Sequence, residues 1–164
     1  MWKKILTVGE SIRLSEKLRQ QGRQIVLVGG CFDILHLGHI NFLENSKNLG
    51  DTLFVLLESD EAVKKLKGKN RPINNQRQRA QVLSALSVVD CVVLLPLMKT
   101  DRDYDKLIAQ IKPAFIGTTE NDPNIEHKIR QAKMLNAKMK IVTKRIKSKS
   151  TTKLARLISE ENIL

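Results

Sequence analysis

The chain has 164 residues, and its 29 lysines and arginines against 17 aspartates and glutamates give a formal net charge of +12 at pH 7. The length predicts one folding unit, the 41% hydrophobic content excludes disorder throughout, and only two cysteines, Cys31 and Cys91, exclude a disulfide framework. No apolar run approaches the ~20 residues of a membrane span, and no sustained apolar stretch follows the first lysines. We therefore expect no signal peptide and a cytoplasmic protein, whose charge predicts an anionic partner: nucleic acid, a membrane surface or a phosphorylated small molecule.

Short apolar runs separated by periodic segments predict alternating strands and helices. A capping-box pattern at Thr7 and Glu10 predicts that the first helix begins there, and Gly22 predicts its end. Continuous apolar runs predict buried strands at 25–28, 53–57, 91–95, 114–116 and 140–143. The segments between them predict a helix that ends at Gly50, a basic loop at 64–72, and helices at about 75–87, 103–111, 125–137 and 151–158.

Strands that are apolar throughout and alternate with helices predict a parallel sheet covered on both faces. The predicted fold class is α/β: a single doubly wound, Rossmann-like domain with a five-stranded parallel sheet. We expect one domain over 1–164, made of an N-terminal helix (1–22), an α/β core (24–145) and a C-terminal helix (150–164). In such sheets ligands bind beyond the carboxyl ends of the strands.

The segment 29–40, GGCFDILHLGHI, joins the first predicted strand to a helix. His36 and His39 are three residues apart and share one side of a helical turn, beside a helix N-terminus that offers N–H groups to an anion. Imidazoles there can donate hydrogen bonds to phosphoryl oxygens in a transition state, and Gly38 lets a ligand approach the backbone. Helix-capping or core histidines are the structural alternative. A metal site is a weaker alternative, because a third histidine or a paired cysteine at useful spacing is missing.

The same segment resembles the GxFDxxHxGH motif of the cytidylyltransferase-like nucleotidyltransferases, and it has the strand, turn and helix that the motif requires. The resemblance implies that His36 and His39 are catalytic and contact the phosphates of a nucleoside triphosphate. It also implies nucleotide-binding roles for Gly30, Cys31, Phe32, Asp33 and Gly38.

A basic segment, 64–77, resembles the loop and helix that follow the second strand in the family. The resemblance implies catalytic roles for Lys64 and Arg77 and nucleotide-binding roles for Lys67 and Arg71. These roles are physically reasonable, because a lysine meets a phosphate as a point charge and an arginine as a bidentate fork. An ordinary solvated basic loop is the alternative.

A hydroxyl-rich signature lies near the end of the sequence. Ser150-Thr151-Thr152 resembles the family's Ser-Thr-Thr signature, which implies a catalytic role for Thr151 and nucleotide-binding roles for Ser150 and Thr152; a plain helix N-cap is the alternative. The segment 116–122 keeps Gly117, also expected to bind nucleotide, but lacks the lysine that heptose enzymes of the family carry there. This departure leaves the acceptor, and the base, open.

Similarity to the family extends over almost the whole chain. It is greatest to the adenylyltransferase domain of ADP-heptose synthase, then to glycerol-3-phosphate cytidylyltransferase and FAD synthetase. The resemblance implies transfer of a nucleoside monophosphate from ATP, favoured over CTP, to a small phosphorylated acceptor such as heptose 1-phosphate. It also implies Mg²⁺ bound mainly through the nucleotide phosphates, no metal site on the protein itself, and a homodimer.

Two alternatives without catalysis stay open. A nucleic-acid-binding module would also use the charge of +12, but the 4% aromatic content is poor for base stacking, so a nucleic-acid partner is unlikely on composition. An inactive nucleotide-binding relative would fit the altered segment 116–122. The many lysines at 128–144 are assigned to no site.

Overall fold

The computed structural model describes residues 3–120 and 122–143, so Ser150, Thr151, Thr152 and the predicted last helix lie outside the described residues. The strands are β1 (Ile5–Thr7), β2 (Ile25–Gly30), β3 (Thr52–Leu57), β4 (Cys91–Leu94), β5 (Phe115–Thr119) and β6 (Lys138–Thr143). The helices are α1 (Val8–Gln20), α2 (Leu37–Lys47), α3 (Asp60–Lys67), α4 (Gln76–Ala85), α5 (Asp101–Ile111) and α6 (Ile125–Leu135). In this part of the chain, none of the helices has the length and apolar character needed to cross a membrane.

All six strands form one parallel sheet in the order β1-β4-β3-β2-β5-β6. From β2 the chain moves outward to β3 and β4, then crosses back and continues from β5 to β6. The strand order therefore reverses between β2 and β5, and ligands of such sheets bind at the carboxyl ends on either side of this switch point. The predicted α/β, doubly wound, Rossmann-like class is confirmed.

The central strands β2, β3 and β4 are covered by helices on both faces of the sheet. One core cluster joins Leu27 and Leu56 to α1, α5 and α6, and a second joins Val28 and Val55 to α2 and α4. Every residue of β3 is buried. A strand without an exposed face reads as one continuous apolar run, which explains why the sequence predicted β2 to β5.

Two elements differ from the sequence-based expectation. The sheet has six strands, not five, because β1 pairs with β4 at the sheet edge. β1 has three residues, of which Leu6 alone is buried, and such a short pattern does not predict a strand.

The other difference is α3: the predicted basic loop at 64–72 begins as a helix, with Ser59 as N-cap accepting a hydrogen bond from the Ala62 N–H. The first helix begins at its capping box as predicted, with Thr7 as N-cap.

Gly117 lies where β5 passes close to β2 and α2. A Cβ at this position would be 2.9 Å from the Val28 Cγ1 and 3.0 Å from the Ser46 Oγ. Ser46 is fully buried and its hydroxyl donates to the Phe42 carbonyl at 2.7 Å, so it cannot move without losing that bond. The absence of a side chain at Gly117 is therefore required for packing at the switch point, independently of any contact between Gly117 and a nucleotide.

We expect Gly117→Ala to lower the free energy of unfolding by about 1–3 kcal/mol, because the added methyl overpacks this contact. Gly9→Ala is the matched control: its Cβ would meet only the Arg13 side chain at 3.7 Å, so stability should stay level or rise by up to about 1 kcal/mol. Urea unfolding of both variants measures the difference. Equal stabilities for the two would contradict the packing argument.

Candidate active site

A cavity of about 690 Å³ opens at the carboxyl ends of β2, β3 and β5. This volume suits a small-molecule ligand, since such sites commonly measure roughly 300–1,000 Å³. The sequence-predicted residues in its wall are Gly30, Cys31, Phe32, Asp33, His39, Lys67, Arg71 and Gly117. The predicted residues that do not line it are His36, Gly38, Lys64 and Arg77.

The two motif histidines lie side by side at the start of α2. His36 is the N-cap, and its Nδ1 accepts a hydrogen bond from the Gly38 N–H at 3.1 Å. Its ring centroid is 4.0 Å from that of His39, which lines the cavity next to Phe32. His36 thus performs the capping that the structural alternative foresaw. Because its Nδ1 accepts, the proton of the neutral ring is on Nε2, which becomes a donor.

His39 is held in its neutral form. Burial, then the neighbouring His36 and Lys67, lower the pKa of His39 to about 4. Its Nδ1 is buried and has no hydrogen-bond partner within the described part of the chain. A neutral imidazole has one N–H donor and one acceptor nitrogen. His39 can therefore form a hydrogen bond with a ligand while its own ring carries no charge.

Asp33 fixes the loop that carries Arg71. Its carboxylate accepts hydrogen bonds from the Arg71 Nε at 2.6 Å and from the backbone N–H groups of Ile73 and Asn74 at 3.0 Å. Burial alone would raise the pKa of Asp33, but these hydrogen bonds and the Arg71 charge outweigh it and hold the pKa below its usual value. Asp33 therefore positions Arg71 in the cavity wall; nothing here requires it to touch the nucleotide.

The predicted basic residues divide into two groups. Lys67, at the end of α3, and Arg71 line the cavity. Lys64 on α3 and Arg77 on α4 are exposed and outside its wall. The sequence predicted a basic loop where α3 ends, and of the two predicted lysines on this helix Lys67 alone lies in the cavity wall.

Arg79, two residues after Arg77, is the arginine that α4 places behind the cavity. Its side chain is fully buried and donates to the carbonyls of Cys31, Asn74 and Glu58 and to the Asp60 carboxylate. These four acceptors belong to the segments that follow β2 and β3 and precede α4. Arg79 shares the buried face of α4 with Ala80 and Leu83, and that helical spacing is the sequence signal that could have separated it from Arg77.

Glu58 and Tyr104 are wall residues that the sequence analysis missed. The Tyr104 hydroxyl is 3.0 Å from both carboxylate oxygens of Glu58. Burial raises the pKa of Glu58, against the lowering effects of the Tyr104 hydrogen bond and the Arg79 charge. Glu58 directly follows a strand predicted to end at Leu57. A polar residue at the carboxyl end of a parallel strand is a candidate binding residue, and this position was the sequence signal for Glu58.

Part of the unassigned basic run reaches the cavity. The Lys128 Nζ, on α6, is 2.6 Å from the Asp122 carboxylate and 3.2 Å from the Thr118 Oγ1, and both Lys128 and Asp122 line the wall. Lys128 thus comes from a helix to the end of β5, where the segment 116–122 has no lysine of its own. His127 also lines the cavity, and its Nδ1 lies 3.3 Å from the Asp101 carboxylate.

Comparison with known families identifies the family of the chain. The cytidylyltransferase-like family model matches residues 27–159. The chain belongs to the cytidylyltransferase-like family. The predicted resemblance to this family is confirmed.

Curated relatives of the chain include proteins named bifunctional protein HldE. The one from Actinobacillus pleuropneumoniae serotype 5b is 51% identical over 112 residues, which are 68% of this chain and 23% of the relative. The one from Aliarcobacter butzleri is 47% identical over 109 residues, 66% of this chain and 22% of the relative. The matched part of the chain thus spans less than a quarter of these relatives' length.

Solved structures that resemble the chain include two from different organisms. The lipopolysaccharide core biosynthesis protein from Thermoplasma volcanium is 31% identical, with a TM-score of 0.61, over 75% of this chain and 96% of that one. The pantoate-beta-alanine ligase from Francisella tularensis has a TM-score of 0.66 over 99% of this chain and 79% of that one, but at 16% identity it shows a common fold alone.

We expect Arg79→Met to lower the free energy of unfolding by roughly 3–5 kcal/mol, because it leaves buried carbonyls without a donor. Arg77→Met, at the exposed position two residues earlier, should change it by no more than about 0.5 kcal/mol. Urea unfolding of this matched pair tests the assignment. Similar losses in the two variants would show that Arg79 does not hold the loops.

The pKa of His39 makes a prediction about pH. Because its folded pKa of about 4 lies below the usual 6.5, the unfolded chain binds the proton more readily between these values. The contribution of His39 to stability is therefore complete above about pH 6.5 and is lost as the pH falls towards 4. The His39 ring signals in NMR should titrate near pH 4, and His39→Asn should lose less stability than the parent between pH 7 and 5. A midpoint near 6.5 would contradict the burial argument.

Proposed function

We propose that the chain is a nucleotidyltransferase that moves AMP from ATP, or less favourably CMP from CTP, to the phosphate of heptose 1-phosphate or a similar sugar 1-phosphate, with release of pyrophosphate. One observation carries this proposal: His39 of the family motif and the cations Lys67 and Arg71 wall the same cavity at the switch point of the sheet. The heptose acceptor follows the relatives named HldE, the ADP-heptose synthase with an adenylyltransferase domain.

The proposed reaction is an in-line attack by an acceptor phosphate oxygen on the α-phosphorus, which expels pyrophosphate. The chain's own groups would act by positioning and by stabilising charge. The Nε2–H of His36 and the neutral ring of His39 would donate hydrogen bonds to phosphoryl oxygens. Because the lowered pKa of His39 keeps its ring neutral near pH 7, His39 would act as a hydrogen-bond donor and not as a fixed cation.

The cations would bind the phosphates in different ways. Arg71 is oriented by its 2.6 Å contacts with Asp33, which leaves its remaining N–H groups to reach a phosphate. Lys67 has no acidic partner within salt-bridge distance among the described residues, so its charge is uncompensated at the cavity wall. The catalytic roles of Lys64 and Arg77 have no support from their exposed positions, and those of Ser150, Thr151 and Thr152 stay predictions from the motif.

Mg²⁺ would be the cofactor. The described residues contain no cluster of three or more histidine, cysteine or acidic side chains suited to a metal, and Mg²⁺ commonly keeps several waters and takes its other ligands from substrate phosphates. The chain therefore fits an ion that arrives with the nucleotide and neutralises its triphosphate. A homodimer and a cytoplasmic location are further proposals, which depend on the resemblance and on the composition.

Pyrophosphate release tests the proposed function. ATP and CTP should each be combined with heptose 1-phosphate, glycerol 3-phosphate and FMN, and we expect the highest kcat/KM with ATP and heptose 1-phosphate. His39→Ala should lower kcat by about 10²–10³, the usual loss of one well-aimed donor, while its thermal unfolding shows a folded chain. Near-normal turnover in His39→Ala, or no pyrophosphate with any pair, would overturn the proposal.

A further inference from the structure

The proposed phosphate chemistry gives no function to the acidic groups of the cavity wall, and Glu58 is the one that is paired with a tyrosine hydroxyl. Glu58, at the end of β3, faces the cavity together with Tyr104. We propose that Glu58 is a specificity residue for the acceptor, and that its two carboxylate oxygens accept hydrogen bonds from hydroxyl groups of the acceptor's sugar. This inference rests on the proposed function and names the part of the acceptor that the same site recognises.

The chemistry of Glu58 restricts what can occupy its side of the cavity. A carboxylate only accepts hydrogen bonds, and it repels phosphate oxygens at short range. Its ligand must therefore supply donors without a negative charge. Sugar hydroxyls meet both conditions, and two oxygens side by side match two neighbouring hydroxyl groups.

The structure holds Glu58 in place before any ligand arrives. Its backbone N–H donates to the Gly30 carbonyl at 3.2 Å, and its own carbonyl accepts from Arg79 at 2.8 Å. The Tyr104 hydroxyl fixes the side chain at 3.0 Å. Each carboxylate oxygen keeps acceptor capacity after this contact. A group oriented in advance loses little conformational entropy on binding, which favours a recognition function.

The position of Glu58 relative to the cations suits a sugar phosphate. Lys67 and Glu58, a cation and a carboxylate, both line the cavity, and their charges act in opposite directions on the pKa of the Cys31 thiol in the same wall. A ligand with its phosphate on Lys67 and its hydroxyl groups on Glu58 would use both charges. On the β5 side, Lys128 is paired with Asp122, and we assign that side to the nucleoside.

Glu58→Gln tests the inference, since it keeps the shape and removes the charge. Isothermal titration with heptose 1-phosphate should show at least about tenfold weaker binding, as expected for loss of a hydrogen bond to a charged group, while binding of inorganic phosphate is unchanged. In pyrophosphate release, the KM for heptose 1-phosphate should rise by a similar factor and the KM for ATP should not. Tyr104→Phe, which releases the carboxylate without removing it, should give a smaller rise in the same KM.

Glu44→Gln is the matched control, because Glu44 is an exposed glutamate on α2 outside the cavity wall, and it should leave both KM values unchanged. A Glu58→Gln variant that raises the KM for ATP alone would assign the carboxylate to the nucleoside and overturn the inference. Equal weakening of heptose 1-phosphate and inorganic phosphate, or no weakening, would overturn it as well. If the parent chain binds heptose 1-phosphate with this dependence on Glu58 but releases no pyrophosphate, the proposed function fails and the inference stands; if it does not bind heptose 1-phosphate, the inference fails.

Discussion

The buried guanidinium of Arg79 is the contact through which the walls of the cavity depend on one another. It donates to the carbonyls of Cys31, Glu58 and Asn74 and to the Asp60 carboxylate, which lie on segments far apart in sequence. Burial of a guanidinium is costly, and it is tolerated only where nearly all of its N–H groups find acceptors. Two of those acceptors, the carbonyls of Cys31 and Glu58, directly follow β2 and β3, so the same bonds that satisfy the charge also link the start of the histidine motif to Glu58. Asp33 has a comparable function with a negative charge: its buried carboxylate accepts hydrogen bonds from Arg71 and from two backbone N–H groups.

Sequence patterns predicted the parts of the fold that are governed by burial. β2, β3 and β4 lie inside the sheet and are apolar at nearly every position, so their runs stand out from the sequence. β1 does not, because an edge strand of three residues with Leu6 as its one buried side chain has no periodicity to read. The helix α3 was not predicted for a similar reason. Ser59 supplies a local N-cap, but the lysines in the last turn resemble those of a basic loop.

The site was predictable where a motif fixes several residues at once and not where long-range packing chooses among similar ones. The spacing of His36 and His39 is a local property of a helix start, and the two rings lie side by side there. Arg77 and Arg79 have the same chemistry, and only the packing of α4 on the sheet decides that Arg79 is buried. Tyr104 reaches Glu58 across 46 residues, a pairing that depends on the crossover from β4 to β5 and leaves no local trace in the sequence.

Net charge is a poor description of this cavity. The chain as a whole carries +12, but Arg71 is paired with Asp33 and Lys128 with Asp122 in the cavity wall. Pairing does not remove these cations from use, because an arginine or lysine held by one carboxylate still has donors left for a phosphate, and a held side chain loses less entropy when the ligand binds. Lys67 and Glu58 are two opposite charges in the same wall. A polyanion such as nucleic acid would bring phosphates to both and gain from only one of them. A ligand with a phosphate at one end and hydroxyl groups at the other satisfies both charges, and for that reason the cavity fits a sugar phosphate better than the total charge suggests.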